Sequence, residues 1–283
     1  MILKLALLCL VATLTTLSQA TPVKPTCQRP FPPNTTCFNA APAPKYNGTT
    51  QLNNIGVVLF RAFELIDVYG VIDPLQQLAH TNNRLNLFLI AETLDPVTTE
   101  TVSKVMNPAN SSFWPTLTPT HTFADDLDLD ILFVPGGLGT MNPNVTAVTD
   151  YLKKTYPKVK IFATVCTGAG LAAKAGLLDG KVATTNKSAW KRTQAMGKAN
   201  WISPARYVVD GKVWSSSGVT AALDLTFALI STYWGVDAAA DIAKGLEHIP
   251  AKPLDDPFAR FFNITPTAPL CHFAKGVSWP ELL

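Results

Sequence analysis

The chain has 283 residues, 47% of them hydrophobic and 15% charged, with a formal net charge of +3. That apolar content suffices for one core of ordinary size. No Lys/Arg run or basic stripe points to nucleic acid, and no segment beyond the first twenty residues could span a bilayer.

In chain order, residues 1–20 (MILKLALLCLVATLTTLSQA) combine a Lys, a short apolar stretch and a small-residue end. This pattern predicts a secretory signal peptide cleaved near Ala20, hence a secreted protein with no membrane partner after cleavage. Residues 21–54 are rich in Pro, Thr and Asn and predict an extended arm over the domain surface. The fold proper opens at Ile55 with IGVVLF, a buried strand. Residues 64–80 have helical apolar spacing, and LNLFLIAE (85–92) is the next strand. Residues 93–124 predict short strands. LDLDILFVP (127–135) ends in a buried strand and runs into Gly136-Gly137-Leu138-Gly139, and residues 145–155 predict a helix.

IFATV (161–165) is a further buried strand. Cys166 follows at once, then Thr167-Gly168-Ala169-Gly170 and a helix over 168–175. A strand that turns into a helix at one Cys predicts a nucleophile elbow, with the thiol at a helix N-terminus where the thiolate is favoured. Residues 188–197 predict a helix, RYVVDGKVWSSSG a hairpin turning at Asp210-Gly211, and residues 219–234 and 236–246 two more helices. The tail after Pro250 is Pro-rich and predicts a loop. Strands alternating with helices imply an α/β class: a mostly parallel sheet with helices on both faces.

Six Asn-x-Ser/Thr sequons fit secretion, at Asn34, Asn47, Asn110, Asn144, Asn186 and Asn263. The first five of these except Asn186, together with Asn263, are the glycosylation candidates; Asn186 lies too near the proposed pocket. Cys9 leaves with the signal peptide. If Cys166 is kept free for chemistry, Cys27, Cys37 and Cys271 remain for at most one bridge, either Cys27–Cys37 or a link to Cys271.

Reactive groups in such a sheet gather at the carboxyl ends of the strands. Three segments arrive there: the first helix with Asp67, the Gly136-Gly137 turn, and Cys166-Thr167. Glycines after a strand let backbone N–H groups approach a developing anion, and the Thr167 N–H would join them. An Asp67 carboxyl could exchange protons with the thiol or the substrate. Asp73 is a rival carboxylate, read as a surface residue. Thr185 and Asn186 are further pocket candidates. None of the four His lies beside Cys166, and no CxxC, HExxH or clustered His/Cys spacing suggests a metal; no cofactor is expected.

These residues resemble the ThiJ/PfpI superfamily, within the class I glutamine amidotransferase-like group of flavodoxin-type folds. The resemblance covers residues 55–258, with a tail over 259–283, and rests on FELIDVYG (63–70), ILFVPGG, VCTGAG…GLLDGKVATT and the later SSSGVTAALDLTFALI and EHIPAKPLDDPF. It implies a flavodoxin-like three-layer sandwich and a homodimer. The branch it looks most like is isocyanide hydratase, which implies a lyase acting on a small electrophilic molecule. There Cys166 matches the nucleophile, Asp67 the acid/base, Thr167 the hydrogen-bonding neighbour, and Gly137 and Thr167 the backbone donors. The reaction implied hydrates an isocyanide to an N-formamide through a Cys166 thioimidate. The alternatives are glyoxalase- or deglycase-like action on reactive carbonyls, and a non-catalytic secreted binding or redox protein. Two departures stand out. Asn186 occupies the place where the hydratase branch has His, and Asn cannot titrate near neutral pH. Thr167 stands where the peptidase-like branch has His, which argues against proteolysis.

Overall fold

The computed structural model describes residues 38–45 and 52–267. The signal peptide, Cys27, Cys37, Cys271, Asn34 and Asn47 lie outside the described residues.

Chain order runs β1 (Asn54–Val58), α1 (Leu65–Ala79), β2 (Asn86–Ala91), β3 (Val97–Thr98), β4 (Thr116–Leu117), β5 (His121–Thr122), β6 (Ile131–Val134), α2 (Thr146–Thr155), β7 (Ile161–Thr164), α3 (Gly168–Lys174), β8 (Val182–Ala183), α4 (Trp190–Gln194), β9 (Asn200–Trp201), β10 (Tyr207–Asp210), β11 (Val213–Ser216), α5 (Ala221–Tyr233), α6 (Val236–Gly245) and α7 (Phe258–Phe261). Seven strands form one sheet in the order β10-β11-β7-β6-β1-β2-β5. Every pairing in it is parallel except the β10–β11 hairpin.

The apolar runs explain the layering. Strands buried on both faces need apolar residues at every position, and ILFV in β6 and IFAT in β7 are buried throughout. Alternate residues then serve opposite cores. Ile131 and Phe133 pack with α1, α5 and α6, while Leu132 and Val134 pack with α2 and α3. Fully burying one such side chain contributes about 1.5–3 kcal/mol.

The strand order places the site. Val57, Phe133 and Ala163 stand in register across β1, β6 and β7, and Thr164 pairs with Ser215 of β11. The segments that leave these four parallel strands therefore emerge side by side at one rim. They are the turn into α1, the double glycine, the Cys166 elbow and Ser217–Gly218–Val219. The chain order reverses between β1 and β6, the position where open α/β sheets hold their ligands.

The structure departs from the sequence reading at the C-terminal tail and at the hairpin. The tail after Pro250, predicted as a loop, forms the single turn α7, and ordered packing continues to Thr267, whose N–H donates to the Ser203 carbonyl. The hairpin turn has Gly211 at φ 61° as its sequence suggests, but the Asp210 carboxylate is buried and accepts the N–H groups of Ala41 and Val182, each at 2.8 Å. That side chain anchors residues 38–45 and β8 rather than only shaping a turn.

Candidate active site

Cys166 is the pivot between β7 and α3. Its φ is +56°, a left-handed conformation that costs a non-glycine residue about 1–3 kcal/mol and persists only where the surroundings fix it. Three contacts do so. The Cys166 N–H donates to the Ser216 carbonyl at 3.2 Å, and the Gly168 N–H closes a turn on the Val165 carbonyl at 2.9 Å. The Thr185 hydroxyl donates to the Cys166 carbonyl at 2.7 Å. Gly168 is required because a Cβ there would stand 2.2 Å from the Val134 carbonyl oxygen. The cysteine is free of any disulfide and buried.

The sulfur receives the Asn186 Nδ2 donor at 3.1 Å, and the backbone N–H groups of Thr167 and Val219 lie close enough to favour its charged form. Despite these donors its pKa is raised far above the ordinary thiol value. Burial is the larger cause and the Asp67 charge adds to it. This corrects the expectation of a favoured thiolate. The helix start that was to supply a field is part of a seven-residue helix, and the desolvation of a 4%-exposed residue outweighs it.

Asp67 lies on the first turn of α1, which brings it to the rim and buries it at 1% exposure. Its Oδ2 accepts the Gly136 N–H at 2.7 Å, while Oδ1 has no hydrogen-bond partner among the described residues. Burial, with the Glu64 charge adding, raises Asp67 well above the usual carboxylate range, and the contacts from Gly136 and Cys166 only partly offset this. A carboxylate made more basic by burial, set beside a thiol, is suited to taking that thiol's proton and giving it back. Asp73 is exposed, as its surface reading expected.

The double glycine has a different task from the one predicted. The Gly137 N–H donates to the Thr167 hydroxyl oxygen at 3.0 Å and is not free for an oxyanion. Gly137 adopts φ +121°, and a Cβ there would meet the Ala62 carbonyl at 2.4 Å. At Gly136 a Cβ would stand 2.5 Å from both the Thr167 nitrogen and its hydroxyl, and 3.0 Å from Asp67 Oδ2. The pair thus lets the Asp67 and Cys166 loops close on each other. Gly137 is corrected from backbone donor to scaffold. The Thr167 hydroxyl is likewise held by Gly137 and Thr140, and its backbone N–H is what reaches the sulfur.

A cavity of about 290 Å³ lies beside the sulfur's donors, lined by Asn186, Arg206, Gly218, Val219, Phe258 and Phe261 among others. Asn186 belongs to both cavity and sulfur shell. The other two pocket candidates are committed elsewhere: Gly136 to Asp67, and Thr185 to the Cys166 carbonyl. His80 lies at the end of α1, His121 contacts Thr120, and His248 pairs with Asp224, so none of these three reaches the sulfur. Among the described residues no group of three or more His, Cys, Asp or Glu could hold a metal ion. Asn110, Asn144 and Asn263 are exposed, whereas the Asn186 amide is held by Cys166, Ser188 and the Ala189 N–H.

Sequence reasoning missed several participants. Glu64, half-buried beside Asp67, was visible only as part of FELID. Val219 donates through its backbone, which no side-chain pattern reveals. Lys187 and Arg206 are buried cations in the cavity lining, and Asp256 is the buried acid paired with Lys187.

The architecture and the site together define a doubly wound α/β domain with a cysteine elbow set over a buried carboxyl. The chain belongs to the DJ-1/PfpI family, whose sequence model matches residues 54–232. It is 32% identical over 205 residues to the isonitrile hydratase of Pseudomonas putida, covering 71% of this chain and 81% of that one. It is also 25% identical over 194 residues to the HTH-type transcriptional regulator GbdR of Pseudomonas aeruginosa, covering 68% of this chain and 49% of the regulator. Among solved structures, a THiJ/PfpI family protein from Pseudomonas syringae superposes with a TM-score of 0.60 at 24% identity, over 77% of this chain and 81% of that chain. Drosophila melanogaster DJ-1beta gives 0.56 at 20% identity, over 70% and 98%. Both structural likenesses bear on the fold alone.

Proposed function

We propose that the protein is a cysteine-dependent hydratase that converts an isocyanide to an N-formamide. The observation that carries this reading is the Asp67 carboxyl, buried with one oxygen unpartnered and facing an unbridged Cys166. The relationship to an isonitrile hydratase supports it.

In this reading Asp67 takes the thiol proton as the sulfur bonds to the terminal isocyanide carbon, then returns that proton to the same carbon. The product is a thioimidate, R–N=CH–S–Cys166. Asp67 next draws a proton from a water that adds to the thioimidate carbon, while the nitrogen gains one. Expulsion of the sulfur leaves R–NH–CHO and restores the thiol, so the net reaction adds one water. Asn186 and the Thr167 and Val219 N–H groups stabilise the sulfur whenever it carries charge. Phe258 and Phe261 give the substituent R an apolar wall.

The test offers the purified protein an alkyl isocyanide and measures the formamide. Formation that depends on Cys166 is expected; Cys166→Ala activity equal to wild type overturns the mechanism. A second reading, a non-catalytic binding or redox protein, draws on the thiol's burial and raised pKa. No formamide from any isocyanide offered, with a stable oxidised mass at Cys166, would favour it.

A further inference from the structure

Lys187 is 3% exposed, and its ammonium is ringed by acceptors from four separate segments. It donates to the Thr184 hydroxyl at 3.0 Å, the Thr185 carbonyl at 3.1 Å, the Ala205 carbonyl at 2.9 Å and the Ser217 hydroxyl at 3.0 Å. Asp256, also buried, pairs with it at 3.0 Å. A charge taken this far out of water is retained only with a full complement of partners, and here every partner belongs to a segment that builds the site.

The positions of those segments matter more than the pairing. Thr185 and Asn186 adjoin Lys187, and Asn186 is the side chain that donates to the Cys166 sulfur. Ser217 begins the turn whose Val219 N–H reaches the same sulfur. The other Asp256 oxygen accepts the Phe258 N–H at 3.0 Å and so fixes the start of α7, whose Phe258 and Phe261 line the cavity. One ammonium thus touches two of the three segments that carry sulfur donors and, through Asp256, the cavity's aromatic wall.

We propose that Lys187 is a positioning residue: braced by Asp256, it holds the Asn186 and Val219 donors on the Cys166 sulfur, and this sets the reactivity of the thiol. It touches neither the sulfur nor the reacting carbon. The inference extends the hydratase reading but concerns only the sulfur, so it can be tested without an isocyanide. The charged groups acting on the sulfur are Asp67, itself beside Glu64 on the α1 side, and Lys187 behind Asn186. Around Lys187 they are Asp256 and Arg206. Burial draws the Lys187 pKa down to about 8, so its brace is fullest below that pH.

The experiment measures the second-order rate of Cys166 alkylation by iodoacetamide across pH, with far-UV circular dichroism to confirm folding. Lys187→Met/Asp256→Leu removes both charges and leaves apolar volume, a replacement that buried ion pairs commonly tolerate. Ser217→Ala removes one link while Lys187 keeps its charge. A merely structural lysine predicts that its loss loosens the site, exposes the thiol and speeds alkylation. The positioning role predicts slower alkylation, roughly tenfold in the double variant and about twofold to threefold in Ser217→Ala, from weakened donors on the thiolate. The Ser217→Ala result decides the matter if the double variant does not fold. Rates equal to or above wild type in the folded variants overturn the proposal. Loss of formamide synthesis with unchanged alkylation would count against it too, whereas slowed alkylation in a protein inert to isocyanides would leave it standing and remove only the hydratase reading.

Discussion

The Gly136 N–H donates to Asp67 Oδ2 at 2.7 Å, and this bond fixes the carboxyl while its other oxygen stays without a partner among the described residues. A strand-end glycine therefore orients an acid on a helix far away in sequence. Asparagine can keep this bond through its own carbonyl oxygen but cannot carry a proton between sulfur and carbon.

Asp67→Asn should separate stability from turnover. Formamide synthesis should fall by about 10²- to 10⁴-fold, the usual contribution of a positioned acid/base. Stability should move the other way. The folded pKa of Asp67 lies above its unfolded value of 3.8, so the native state holds the proton more tightly and wild-type stability is eroded as pH rises above about 4. At neutral pH the variant should melt no lower than wild type, with the gap closing as pH falls toward about 4. Calorimetry at several pH values checks this, and a large drop in melting temperature at neutral pH would count against a buried, raised carboxyl.

The thiol should behave as a sluggish nucleophile in the resting protein. Burial first, and the Asp67 charge second, push Cys166 above its ordinary value of 9.0. Alkylation should therefore be slower than for a free thiol at pH 8 and still rising with pH at about 10, without the plateau an ordinary cysteine reaches soon above its pKa. Asp67→Asn should quicken it, because one of the two causes is removed. A plateau near neutral pH would contradict this geometry.

Gly137→Ala should unfold the loop before it affects chemistry directly. The position combines φ +121° with backbone atoms at 2.4 and 2.5 Å from an added Cβ, from Ala62 and Glu64, neither of which can swing away. A cost of about 1–3 kcal/mol is expected from the strained conformation alone, with more from the clash. Urea unfolding would show a lowered midpoint. Because Glu64 immediately precedes α1, activity should fall as well through displacement of Asp67.

Much of this arrangement was legible in the chain because its signals are local. ILFVPGG announces a buried strand and a tight exit, and IFATVCTGAG an elbow, since each needs only neighbouring residues to be apolar or small. The direction of a single N–H was not legible. Whether Gly137 points at an oxyanion or at the Thr167 hydroxyl depends on how two loops from different strands meet. The Lys187–Asp256 pair was hidden for the same reason, since KSAWKR and LDDPF each resemble solvated surface until the sheet brings them together. The thiolate expectation failed on magnitude: a helix end offers a partial charge, and a buried sulfur beside a carboxyl loses more than that.

Asp224 offers the strongest test of the frame behind the cavity. Its Oδ2 accepts Arg206 Nε at 2.8 Å and also the Nη2 group, while Oδ1 takes the Ala251 N–H at 2.8 Å and lies 3.4 Å from His248 Nε2. Burial alone would raise this carboxyl, but His248, Arg206 and the Ala251 N–H outweigh it and hold its pKa below the ordinary value of 3.8. A depressed carboxylate contributes stability that is present above its unfolded pKa and lost as pH falls through the folded one. Asp224→Asn keeps the shape but leaves the Arg206 guanidinium buried without its counter-charge, which should cost about 3–5 kcal/mol at neutral pH. Because wild type loses the same contribution in acid, the difference in urea midpoints should shrink below about pH 4. The cavity should report the change too, since the Arg206 guanidinium lies 5.9 Å from the centre of the Phe258 ring. Loss of its anchor should raise KM for a bulky isocyanide more than it lowers kcat, and a variant as stable as wild type at neutral pH would show that Arg206 is held by its other neighbours instead.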